Sequence, residues 1–205
     1  MHPTPPITGP GQKTERIGLY GGSFDPVHCA HLLVAQAAQE ELGLDRVIFI
    51  PAAQSPFKTA APAAPADTRV RLLKLALAGR PGWSIDDQEL RRGAPSYSID
   101  TVRSYAAQNP QASLFYLIGL DHVGQLTKWR EADTLARMTD FVVIPRPGQA
   151  RVAAPEAFRL HWLRGFPFAL SSSEVRARAA ARKPIDLLVP SEVAKIIQTE
   201  HTYSH

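Results

Sequence analysis

The chain has 205 residues, 44% hydrophobic and 20% charged, a balance ordinary for a globular protein with one substantial core. Its formal charge of +4 suits an anionic substrate but is too small to argue for nucleic acid, and no basic cluster is interleaved with aromatics. The single cysteine, Cys29, excludes an intrachain disulfide, and no apolar run approaches the ~20 residues of a membrane span. A cytoplasmic protein without nucleic-acid or membrane partners is expected, its oligomeric state left open.

Residues 1–14 are rich in Pro, Thr and Gly and lack an apolar core, and read as a disordered leader ahead of one domain over 15–205. Arg16 to Tyr20 is a short apolar run, followed by Gly21-Gly22 as a tight turn and a helix with Val34, Ala38 and Leu42 at i, i+4, i+8. Val47 to Ile50 reads as a strand covered on both faces, ended by Pro51. Ala52 to Ala66 is a long loop broken by Phe57-Lys58, of the kind that serves as a lid or binding loop. A helix follows from about Thr68 to Ala78, then a short strand at Trp83 to Asp86, a turn at Gly93 to Tyr97 and a helix from Ser98 to Gln108. Leu114 to Ile118 and Phe141 to Ile144 are two further buried-strand signals, with short helices expected around Trp129 to Met138 between them. Leu160 to Leu170 reads as one or two strands, and helices are expected at Ser172 to Arg182 and Ser191 to Glu200. The alternation predicts an α/β fold with a doubly wound, mostly parallel sheet and a small C-terminal helical part. Ligands in such sheets bind beyond the carboxyl ends of the strands. Gly21-Gly22, Gly119-Leu120-Asp121 and Arg146 all fall at such ends, so Gly22 and Gly119 are expected within ~15 Å, inside one small-ligand pocket.

His28 and His31 stand i, i+3 where the first helix opens. A metal pair is one reading, but zinc sites usually take a third protein ligand and H-E-x-x-H is absent. Imidazoles directly after a strand and two glycines are better suited to donating hydrogen bonds to phosphate oxygens. Neither G-x-G-x-x-G nor G-x-x-x-x-G-K-[ST] occurs, so a nucleotide enzyme with this loop belongs to another class. Farther on, Ser171 and Glu174 fit a capping box. Arg176 puts a cation in the first helical turn, unfavourable for the helix dipole without an anion nearby.

The order Gly21-Gly22-Ser23-Phe24-Asp25-Pro26-Val27-His28-Cys29-Ala30-His31 closely resembles the G-G-[ST]-F-D-P-x-H-x-G-H signature of the bacterial nicotinate mononucleotide adenylyltransferases. It departs at Ala30, where the family usually has Gly. Leu170 to Arg176 resembles the family's I-S-S-T-x-I-R, Gly93 to Ser98 its N-x-P-S-Y-T, Ile118 to Asp121 its I-G-x-D, and Arg146-Pro147-Gly148 its R-P-G. The resemblance runs from about Arg16 to Ile197. It implies a Rossmann-like nucleotidyltransferase fold and transfer of the adenylyl group of ATP to nicotinate mononucleotide, releasing pyrophosphate. By the same resemblance His28, His31 and Arg176 are catalytic. Gly21, Gly22, Ser23, Phe24, Gly119, Asp121, Ser172 and Ser173 join them in holding ATP. Lys58, Tyr97, Ser98, Asp121, Trp129 and Arg146 hold the mononucleotide, with Trp129 stacking on its pyridine ring. No protein metal site is implied; Mg²⁺ bridges phosphates, mostly through water. Rival readings are the same chemistry on nicotinamide mononucleotide or phosphopantetheine, an ATP-binding module without turnover, and a basic nucleic-acid-binding protein.

Overall fold

A computed structural model describes residues 13–146, 148–166 and 168–204. Among them six strands form one sheet: β1 (Arg16–Gly22), β2 (Arg46–Pro51), β3 (Trp83–Ile85), β4 (Ser113–Gly119), β5 (Asp140–Ile144) and β6 (Leu160–Trp162). The spatial order is β3-β2-β1-β4-β5-β6, and every neighbouring pair is parallel. The helices are α1 (Cys29–Leu42), α2 (Ala66–Leu77), α3 (Gln88–Arg92), α4 (Ser98–Gln108), α5 (Ala132–Met138), α6 (Ser172–Ala180) and α7 (Ser191–Thr199), with a 3₁₀ segment at Leu120–Lys128. None of the described helices is long and apolar enough to cross a membrane.

Residues along each strand alternate between two cores, because successive side chains point to opposite faces. On one face Tyr20, Phe49 and Leu117 pack with Leu32 of α1, Leu72 of α2 and Val193 of α7. On the other, Leu19, Ile50 and Tyr116 pack with Ile99 and Val102 of α4 and Leu135 of α5. A sheet covered on both sides has no polar face, which is why its strands read in sequence as unbroken apolar runs. The chain leaves β1 for α1 and β2 on one side, and returns through β4 on the other. The carboxyl ends of β1 and β4 therefore diverge into a crevice, the switch point where such folds bind ligands. Tyr20 is in register with Leu117, where the β1–β4 ladder ends, so Gly22 and Gly119 each lie two residues beyond that pair and open onto the same crevice.

Several local expectations are corrected. Gly21 and Gly22 are the last residues of β1, and the chain bends only beyond them. The sequence reads them as a turn because glycine usually supplies unusual backbone angles. Here Gly21 is required for space: a Cβ on it would lie 2.7 Å from the Tyr116 hydroxyl. The stretch from Leu160 to Leu170 keeps only three residues of strand. α3 went unseen because five residues are too few to show helical periodicity. Of the short helices expected around Trp129 to Met138, α5 is present over Ala132–Met138, whereas the helical segment before it is 3₁₀ and ends at Lys128. Of the expected leader, residues 1–12 lie outside the described residues, while the Lys13 ammonium pairs with Asp45 at 2.6 Å.

Gly21→Ala is expected to destabilise the fold by about 1–3 kcal/mol, the usual cost of overpacking. In a Tyr116→Phe background the nearest ring atom would be 3.5 Å away, ordinary contact, and the cost should fall below about 1 kcal/mol. Urea denaturation of the four proteins checks this, and an equal cost in both backgrounds would contradict the steric account.

Candidate active site

The crevice opens into a cleft of about 1700 Å³, larger than the ~300–1,000 Å³ typical for one small ligand. Gly21, Gly22 and Ser23 lie on its floor beside Gly119 and Asp121, with His28 and His31 on one wall and Ser171, Ser172, Ser173, Glu174 and Arg176 on another. The expected convergence of the three strand ends is present, because Arg146 also lines the cleft.

The histidines sit at the mouth of α1. His28 is the N-cap residue, in extended conformation (φ −143°, ψ 170°), and His31 is the third helical residue. Their rings stack with centroids 3.7 Å apart and planes 22° apart. The His28 backbone N–H donates to His31 Nδ1 at 3.2 Å. In the neutral imidazole this places the proton on Nε2, making that nitrogen a donor. Phe24 supports the pair from below. Its side chain is buried, and its ring meets His31 edge-on at 5.0 Å. Its backbone takes a left-handed φ of 44°, which lets the chain double back toward α1. Burial lowers the pKa of His28 to about 4. Burial, His28 and Lys58 hold that of His31 well below its ordinary value. Ala30 is in the first turn of α1 with no positive φ, so alanine meets no backbone penalty there.

α6 reaches the same place from the other end of the chain. Ser171 caps it by accepting the Glu174 N–H at 3.1 Å. Ser172 Oγ donates to the Pro26 carbonyl at 2.9 Å, and Arg176 Nη1 donates to the Asp25 carbonyl at 2.7 Å. A second arm of that guanidinium donates to Ser173 Oγ at 3.1 Å. Two segments about 150 residues apart in sequence are thereby clipped together, with α6's N-terminus beside that of α1. Helix N-termini carry positive potential, and so favour anions.

The long loop between β2 and α2 closes over the cleft. Lys58 Nζ donates to Ser23 Oγ at 3.0 Å. Phe57 projects toward the far wall, its ring 6.0 Å from that of Trp129 and 6.1 Å from His122. Trp129 stands half-buried against Tyr116 and Phe141. Tyr97 caps α4 beneath the Arg130 guanidinium, 4.7 Å from its ring. Ser98 Oγ donates to the Tyr116 hydroxyl at 2.9 Å. Asp121 and Arg146 form an ion pair of 2.6 Å at the rim. Pro147, within the R-P-G match, lies outside the described residues. The sequence-predicted site residues thus gather around one cleft, Phe24 with its ring packed into the core beneath it.

Sequence reasoning missed three residues that hold this arrangement. Arg69 of α2 is buried and donates from Nη1 to the carbonyls of Ser23 (2.7 Å) and Ala52 (2.9 Å). Asp25 is also buried, and its carboxylate accepts from the Ala63 and Ala64 N–H groups and from the Tyr203 hydroxyl. Asp25 lies inside the motif and could have been flagged by its position; no local signal marks Arg69 or Tyr203.

Buried neutral histidines link stability to pH. An unfolded histidine titrates near 6.5, whereas folded His28 refuses a proton until about 4. Between these values the unfolded chain binds more protons, so stability is lost as pH falls through the window. His28→Gln is expected to remove about 1.4 kcal/mol per pH unit of that loss. Denaturant melts of both proteins from pH 7 to 4 measure it, and identical slopes would contradict a neutral, buried His28.

The cytidylyltransferase-like family model matches residues 19–178. A relative from Opitutus terrae, named "Probable nicotinate-nucleotide adenylyltransferase", is 40% identical over 191 residues, covering 92% of this chain and 97% of the relative. A protein of the same name from Bordetella pertussis is 41% identical over 201 residues, covering 92% and 98%. Among solved structures, Plasmodium falciparum nicotinic acid mononucleotide adenylyltransferase, complexed with NaAD, superposes with a TM-score of 0.74. It is 18% identical and covers 92% of this chain and 97% of its own, a likeness of fold. With the histidine motif, the parallel sheet and this similarity over nine-tenths of its length, the chain belongs to the nicotinate-nucleotide adenylyltransferase family of cytidylyltransferase-like proteins.

Proposed function

We propose that the protein transfers the adenylyl group of ATP to nicotinate mononucleotide, giving nicotinate adenine dinucleotide and pyrophosphate. The observation that carries this reading is the clip between the histidine loop and α6. It sets two anion-suited helix starts and a guanidinium around one cleft large enough for two nucleotides. A phosphate oxygen of the mononucleotide attacks the α-phosphorus of ATP in line. As that P–O bond forms, the bond from the α-phosphorus to the α–β bridging oxygen breaks, and pyrophosphate leaves with its electron pair. Little is asked of side chains beyond alignment and charge stabilisation, which fits a cleft rich in donors.

His31 Nε2–H donates to the α-phosphate, where charge grows in the transition state, and His28 packs against it as a second imidazole. Arg176 and the backbone N–H groups of Ser172 and Ser173 take the β- and γ-phosphates. The Ser172 hydroxyl proton is already committed to Pro26, so that serine serves through its main chain. Gly21, Gly22 and Ser23 let the triphosphate approach the floor. Gly119 leaves room for the adenosine, and Asp121 accepts from ribose hydroxyls. Lys58 steers the attacking phosphate. Trp129 offers its indole face to the pyridine ring, the Tyr97-Ser98 backbone meets the nicotinate carboxylate, and Arg146 adds charge at that end. Mg²⁺ enters as part of the substrate MgATP, bound by phosphate and water oxygens. A reducing, cytoplasmic setting suits the lone Cys29.

Pyrophosphate release from ATP with each mononucleotide tests the reading. Turnover is expected with nicotinate mononucleotide and much less with the nicotinamide form. Turnover only with nicotinamide mononucleotide or phosphopantetheine, or ATP binding without release, would overturn it. His31→Ala is expected to lose about 10²-fold in kcat, the scale for removing one such donor. Near-normal kcat in that variant would remove His31 from the mechanism.

A further inference from the structure

Arg176 and the loop that carries Lys58 are both held through Asp25, which is 3% exposed. Its Oδ2 accepts the Ala63 N–H at 2.6 Å, and its Oδ1 accepts the Ala64 N–H at 3.1 Å and the Tyr203 hydroxyl at 2.9 Å. The Asp25 carbonyl takes Arg176 Nη1 at 2.7 Å, and that nitrogen stands 3.8 Å from Oδ2. The guanidinium is therefore close to the carboxylate without being bonded to it.

Tyr203 reaches this point through a constructed turn. After α7, His201 takes a left-handed φ of 51°. The Thr202 N–H returns to the Ile197 carbonyl at 3.3 Å, and the Ser204 N–H to that of His201 at 3.1 Å. Arg71 of α2 grips Glu200 with hydrogen bonds of 2.7 and 3.0 Å. The ring is buried among core residues that include Val193 and Ile197. Burial and the facing Asp25 carboxylate raise the Tyr203 pKa, so the hydroxyl keeps its proton and acts as a donor.

We infer that Tyr203 is a positioning residue for adenylyl transfer: by satisfying the Asp25 carboxylate it leaves the Arg176 guanidinium turned to the ATP phosphates. A buried carboxylate deprived of a donor recruits another. Arg176 Nη1, 3.8 Å away, is at hand to supply one, and a guanidinium drawn onto Asp25 is withdrawn from the cleft. The inference rests on the adenylyl-transfer reading of the cleft, and assigns the end of the chain a part in setting affinity for the triphosphate.

The test is a double-mutant cycle on the full chain with Tyr203→Phe and Arg176→Ala. Binding of a non-hydrolysable ATP analogue with Mg²⁺ is measured by calorimetry, and circular dichroism confirms folding. Tyr203→Phe is expected to weaken binding about 5-fold in the parent and less than about 1.5-fold beside Arg176→Ala, the signature of residues coupled in one network. An equal loss in both backgrounds, or none in the parent, overturns the inference. Should Tyr203→Phe not fold, Tyr203→Leu, which likewise lacks the hydroxyl donor, is carried through the same cycle. Failure of that variant to fold as well would show a purely structural residue and overturn the inference. Turnover by the parent is scored separately. A parent that binds the analogue but releases no pyrophosphate contradicts the proposed reaction while the cycle still decides on Tyr203. A parent that does not bind the analogue overturns both.

Discussion

A buried carboxylate must be fully hydrogen-bonded or it destabilises the fold, and Asp25 meets that requirement with donors from two distant parts of the chain. The loop after β2 supplies two backbone N–H groups, and the chain's far end supplies a tyrosine hydroxyl. The carbonyl of the same residue receives Arg176. One residue in a tight bend thus fixes the loop that closes the cleft, the helix that faces it and the final turn of the chain. The glycines, the histidines and the α6 N-terminus could each bind a phosphate weakly alone. Held in register around Asp25, they line one cleft.

The electrostatics follow from the same crowding. Two stacked imidazoles, largely shut off from water and with Lys58 nearby, cannot both charge, and burial keeps them neutral. Positive potential in the cleft comes instead from Arg176, Lys58 and two helix N-termini. A neutral histidine whose Nδ1 is already occupied presents an N–H of fixed direction. In the proposed reaction that would be preorganisation: the donor is oriented before charge develops, so little reorganisation is needed in the transition state. Arg69 secures the floor from beneath, holding the Ser23 and Ala52 carbonyls together and thereby the start of the long loop.

What could be read from the sequence was whatever has a local pattern. The strands were legible as apolar runs because both sheet faces are covered, and the doubly wound fold followed from their alternation with helices. The eleven residues from Gly21 to His31 carried the reaction class, since their chemistry is packed into one strand end and one helix start. Long-range bonds leave no such trace. Nothing near Tyr203 announces a partner 178 positions away, and Arg69 looks like a surface residue on an amphipathic helix. Gly21 shows the subtler failure: the glycine was noticed, but its reason is the Tyr116 hydroxyl on the neighbouring strand rather than a turn.

In the proposed reaction the histidine loop and α6 hold one triphosphate between them. The most direct measurement is a crystal structure of the protein with a non-hydrolysable ATP analogue and Mg²⁺. The account predicts the α-phosphate within hydrogen-bond reach of His31 Nε2 and the terminal phosphates on Arg176 and the α6 N-terminus, with the Asp25 contacts unchanged. A triphosphate held by only one of the two segments, or lying outside the crevice between β1 and β4, would contradict it.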